Sequence, residues 1–156
     1  MVLGTLSCVD GGQPDYCARL LKLGKKLKQS HRKHLAGQIK YEYVYNLQQD
    51  PWISNEFQIY INTWIEGWKQ FANRPNFNRK YELTQMWINR MKAREYNPSH
   101  VHTHCDLSFV LWLEVPPSIL KEAKKNETEG PDPGTISFFY GEDRWNVVTA
   151  HTFVPK

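Results

Sequence analysis

Residues 100–106 read His100-Val101-His102-Thr103-His104-Cys105-Asp106, three imidazoles and a carboxylate at alternate positions. In an extended strand successive side chains face opposite ways, so His100, His102, His104 and Asp106 share one face, continued by Ser108, Val110 and Trp112. The other face reads Val101, Thr103, Cys105, Leu107, Phe109, Leu111 and Leu113. A strand of this pattern holds a metal at its mouth and packs core along its body.

Imidazole nitrogen with carboxylate oxygen suits iron(II), manganese or zinc, and two His with one carboxylate form the ligand set of non-haem iron oxygenases. Strand geometry limits the pairs. Residues i and i+2 lie about 6.6 Å apart, whereas i and i+4 lie roughly 13 Å apart unless the chain bends. A regular strand therefore favours His102 with His104, or His104 with Asp106, while His102 with Asp106 needs a bulge or turn near residues 103–105. Exposed His clusters also take up metal adventitiously, so the cluster needs support from the elements around it.

A chain of 156 residues, 40% hydrophobic and 13% aromatic, has the length and apolar content of one packed domain and is not a disordered polymer. Its formal charge of +4 is concentrated at Lys22, Lys25, Lys26, Lys28, Arg32 and Lys33. No aromatic residue is interleaved between positions 22 and 34, so this run reads as a solvated helix face or arm, and no nucleic-acid partner is expected. Cys8, Cys17 and Cys105 form neither an even framework nor a C-x-x-C pair and read as reduced thiols, with Cys105 as small core filler. No run of 18 apolar residues and no basic-then-apolar leader is present, which points to a soluble cytoplasmic protein with no membrane partner.

The elements that must position the cluster follow from periodicity. Residues 1–16 carry Gly4, Gly11, Gly12 and Pro14 and read as loop; residues 15–35 read as a helix burying Leu20, Leu21, Leu27 and Leu35. A short strand is predicted over 38–45. Asp50 as cap and Pro51 at the first position open a second helix whose Ile53, Phe57, Ile61, Trp64, Trp68 and Phe71 recur at helical spacing. Residues 81–92 read as a strand with Leu83, Gln85, Trp87 and Asn89 on one face, followed by a turn at Asn97-Pro98. Pro116-Pro117 ends the His strand, residues 121–133 form a charged surface excursion, and residues 135–140 and 145–154 read as strands around a turn at Gly141 to Asp143. The fold class is α+β in one domain: a helical N-terminal layer over residues 1–80, then strands over 81–156, an arrangement that fits a jelly-roll.

The runs His34-Leu-Ala-Gly-Gln-Ile-Lys40, Trp87-Ile-Asn89, Glu95-Tyr-Asn-Pro98, His100-Val-His102, Asp106-Leu-Ser-Phe-Val-Leu-Trp-Leu-Glu-Val-Pro116 and Pro133-Gly-Thr135 resemble a small branch of the iron(II)/2-oxoglutarate-dependent oxygenases common in marine phages. The likeness runs from about residue 30 onward and is most specific in the His strand. It implies N-terminal helices packed on a double-stranded β-helix, iron(II) and 2-oxoglutarate as cofactors, and O2 with an organic or protein substrate, in host cytoplasm if phage-encoded. The reaction it implies is a hydroxylation coupled to release of succinate and CO2. By this analogy His102 is the proximal ligand and Asp106 the carboxylate, whereas strand spacing pairs His104 with Asp106; both pairings stay open. Asn89 and Trp112 are the positions the resemblance offers for the cosubstrate pocket.

That superfamily places a second His, and a basic residue for 2-oxoglutarate, on later strands. The sequence after the cluster offers only His151, which reads as an ordinary strand or turn residue, and terminal Lys156. The reading is therefore of the N-terminal portion of an oxygenase, its C-terminal strands missing, with an incomplete site and with sheet edges open to association. Two further readings are a jelly-roll binding or structural module without the chemistry, and a cupin-like metal enzyme. The substrate is not encoded legibly, because specificity resides in loop contacts.

Overall fold

The computed structural model describes residues 2–7, 14–125, 127, 134–140 and 149–153. They form β1 (Val2–Ser7), α1 (Pro14–Gly24), a 3-10 turn at Arg32–His34, β2 (Tyr41–Val44), α2 (Trp52–Phe71), β3 (Trp87–Arg90), β4 (Leu107–Trp112), α3 (Pro117–Ala123), β5 (Ile136–Tyr140) and β6 (Thr149–Phe153). Helix and sheet are thus mixed, an α+β composition. The described strands pair in twos: β1 with β4 in parallel, β2 with β3 and β5 with β6 antiparallel.

The chain divides into two compact units, one comprising residues 19–103 and the other residues 1–18 with 104–156. In the first, α2 forms because apolar residues recur at three- and four-residue spacing and Pro51 stands immediately before it. The stripe it buries is Ile53, Phe57, Ile61 and Ile65. Trp64 and Trp68, which recur at helical spacing with that stripe, are half-buried; they stack at 6.5 Å, with Tyr81 on Trp64 and Phe77 on Trp68. Phe71, which recurs at the same helical spacing, is 90% exposed. At 3.6 residues per turn Phe71 shares the azimuth of Ile53 five turns earlier, so its exposure goes with its place as the last residue of the helix and not with the helix period. Asp50 does not cap the helix with its side chain, which instead accepts from the Trp52 indole at 3.2 Å.

The β2–β3 ladder opposes Glu42 to Asn89 and Val44 to Trp87, which puts these four on one face. Isolated antiparallel bridges also join Ser30 to Tyr43 and Gln38 to Tyr96. Only Trp87–Arg90 of the strand expected over residues 81–92 is regular; Met86 and Ile88 are its buried positions. The first helix stops at Gly24, well short of residue 35; a Cβ at Gly24 would meet the Ile88 and Tyr45 side chains at 2.5 and 2.7 Å. Leu20 is fully buried, while Leu27 and Leu35 are only half-buried.

In the second unit Val2–Ser7, read from the sequence as loop, is a strand that runs parallel to β4 from Val2 opposite Leu107 to Ser7 opposite Trp112. Its glycine-bearing sequence concealed this, because a parallel partner distant in the chain supplies what local propensity does not. Pro117 opens α3 at its first turn, and Gly134, with φ 77°, lies where a Cβ would meet Ile119. The expected turn at Gly141 to Asp143 and the start of the last predicted strand, residues 145–148, lie outside the described residues, as does Cys8. Cys17 is disulfide-bonded, which overturns the expectation of three reduced thiols, and Cys105 is an exposed free thiol rather than core filler. Among the described residues no helix is long and apolar enough to cross a membrane.

Candidate metal centre

The continuous His strand expected over residues 100–113 does not form. Regular strand begins only at Leu107, and residues 100–106 are loop with bends at His104 and Asp106. His104 has φ 63°, the left-handed region, which a non-glycine residue occupies at a cost and which turns the chain sharply. Two-residue alternation therefore does not govern this segment, and the shared face drawn from it is lost.

One pair within it does converge. The Nε2 atoms of His100 and His102 lie 3.2 Å apart, their rings at 67° with centroids 4.8 Å apart. His100 Nδ1 lies 2.7 Å from the Pro98 carbonyl oxygen. A carbonyl only accepts, so Nδ1 carries a hydrogen, and in the ring protonated at Nδ1 alone the Nε2 lone pair faces His102. Asn97-Pro98 was legible as a turn; that its carbonyl would fix a tautomer was not.

His102 is half-buried and tilted against the Trp87 indole, 6.1 Å between ring centroids. Trp87 also meets His31 at 5.8 Å, and His31 meets His34 at 5.2 Å. Five rings thus form a chain from His34 through His31, Trp87 and His102 to His100. Burial, then the neighbouring His100, holds the His102 pKa below its ordinary value. His31 is also lowered, by burial and then by His34, with a Gln85 hydrogen bond opposing. Both imidazoles are accordingly biased toward the neutral form that ligates metal.

The other expected site residues are placed as follows. Asp106 is exposed at the bend just before β4, and His104 is exposed at the left-handed turn. Cys105 Sγ lies 3.4 Å from Ser108 Oγ. Asn89 is exposed on β3 opposite Glu42, and Trp112 is half-buried at the end of β4 opposite Ser7. His151 pairs with Phe138 in the β5–β6 ladder, a strand position as expected. Among the described residues no group of three or more His, Cys, Asp or Glu side chains is arranged to hold a metal ion. His100 is the residue that spacing alone passed over, although its i, i+2 relation to His102 was visible.

The same unit contains a buried acid that sequence reading missed. Glu42 is 1% exposed, and neither carboxylate oxygen has a hydrogen-bond partner among the described residues. Its Oε1 lies where a Cβ on Gly37 would come within 2.5 Å. Burial raises its pKa; Arg32 pulls it back and Glu95 pushes it further up. The only available signal was a single carboxylate within a β-prone run.

Compared with protein-family models, curated proteins and solved structures, the chain matches none.

Proposed function

We propose that this is a metal-dependent protein of the non-haem iron class, in which imidazole and carboxylate side chains from residues 100–106 hold the ion. More particularly, it is an iron(II)/2-oxoglutarate-dependent oxygenase, a hydroxylase acting with O2 on an organic or protein substrate. In this reading its strands belong to a double-stranded β-helix. The observation that carries this reading is the left-handed turn at His104, with φ 63°. His102 and Asp106 on a regular strand would stand roughly 13 Å apart; the chain between them is not a regular strand.

In this reading His102 and Asp106 supply ligand nitrogen and oxygen, and the tilted Trp87 indole shields one side of the His102 ring from water. Bound iron and 2-oxoglutarate supply the oxidising power; the protein supplies orientation and a shaped, open position. Asn89 and Trp112 are the residues assigned to the cosubstrate.

The test is calorimetric titration of iron(II) under anaerobic conditions, followed by 2-oxoglutarate, and a succinate-release assay on the iron-loaded protein. His102→Ala and Asp106→Ala are each expected to weaken iron uptake and to remove iron-dependent 2-oxoglutarate binding. Iron and 2-oxoglutarate binding that survives loss of both side chains would sink the assignment.

A further inference from the structure

The geometry points to a two-imidazole clamp, His100 Nε2 with His102 Nε2, that binds a divalent first-row transition ion. The clamp rests on the oxygenase reading only for the identity of its natural metal, not for its existence. Two nitrogens each about 2.0–2.1 Å from one ion lie roughly 2.9 Å apart at a right angle and roughly 3.3 Å apart at the tetrahedral angle. The 3.2 Å separation of the two Nε2 atoms falls within that range.

Three further features belong to a built site. The Pro98 carbonyl, 2.7 Å from His100 Nδ1, fixes the tautomer that leaves Nε2 free to ligate, the usual outer-sphere partner of a metal-binding imidazole. The Trp87 indole lies against the His102 ring and restricts its rotation. The rings are inclined at 67° and so are not stacked, with their Nε2 atoms 3.2 Å apart. Without metal the contact is a hydrogen bond that needs a proton on His102 Nε2. With metal that proton leaves, or moves to Nδ1, and both lone pairs face the ion. His100 is exposed, which gives solvent access to the remaining coordination positions. Imidazole donors with open positions suit zinc, copper, nickel and iron, and not magnesium or calcium. The second imidazole therefore comes from two residues earlier in the same loop, with no need of a later strand.

Zinc(II) is the probe, titrated into the full chain while the histidine ring nitrogens are followed by NMR. The Nε2 resonances of His100 and His102 are expected to shift together at one equivalent. His100→Ala is expected to weaken zinc roughly tenfold or more, whereas His34→Ala, which removes an exposed imidazole from the same unit, leaves it unchanged. Circular dichroism of His100→Ala should match the parent, because the side chain is exposed. Zinc that shifts His102 but not His100, or that binds His100→Ala as tightly as the parent, overturns the clamp while leaving His102 and Asp106 to the iron and 2-oxoglutarate titration. Equal weakening by His100→Ala and His34→Ala would mark adventitious uptake and overturn it too. A clamp that passes every arm, in a protein that ignores 2-oxoglutarate, stands by itself and removes only the oxygenase reading.

Discussion

Glu42 stands directly across the β2–β3 ladder from Asn89, one member of the pair fully buried and the other exposed. The carboxyl has no hydrogen-bond partner among the described residues, and burial raises its pKa. From the ordinary carboxylate range up to that raised value the folded protein therefore holds a proton that the unfolded chain has released. More protons are bound in the native state, so stability falls as pH rises through the window and is highest on its acid side. Glu42→Gln removes the charge and is expected to stabilise the protein at neutral pH by about 1–3 kcal/mol. Thermal melts of both proteins across pH 4 to 8 check this; a parent whose stability rises across the Glu42 window relative to Glu42→Gln would contradict it.

The Tyr45 hydroxyl donates a buried 2.9 Å hydrogen bond to the Leu20 carbonyl, tying the end of β2 to α1. Burial drives the Tyr45 pKa far upward, so the phenol stays protonated throughout the working range. Tyr45→Phe is expected to cost about 1 kcal/mol in urea unfolding, with an unchanged dependence on denaturant.

Gly24 occupies the point where α1 meets that phenol and Ile88. Elsewhere in an exposed helix Gly→Ala stabilises, but here the added methyl would overlap two buried side chains. Gly24→Ala is expected to destabilise by about 1–3 kcal/mol, and the further change Tyr45→Phe to return only part of it, since Ile88 still blocks the site. Stabilisation by Gly24→Ala would show that this packing is not tight.

Ile53 is wholly buried and Phe71 is 90% exposed, although both sit at helical spacing on α2. Ile53→Ala should therefore cost roughly 2–5 kcal/mol. Phe71→Ala should change stability by no more than about 0.5 kcal/mol. Chemical denaturation of the two variants side by side decides whether the stripe ends at Ile65.

Sequence alone was enough to place α2, because Ile53, Phe57 and Ile61 recur with the helix period and Pro51 suits only its start. It also placed β2 and β5, but it set the end of β4 at Pro116-Pro117, whereas the strand already stops at Trp112. The imidazoles and carboxylate of residues 100–106 were legible as a set, since residue types are read directly. Which of them meet was not. Spacing converts to distance only once the backbone is known, and the left-handed φ of His104 is a conformation that no propensity of histidine demands. Tertiary structure alone confined the strand to Leu107–Trp112, brought His100 rather than His104 to His102, and set Trp87 between His102 and His31. The burial of Glu42 was likewise decided by neighbours from other segments, Gly37 among them, because burial is a property of what packs around a residue and not of the residue itself.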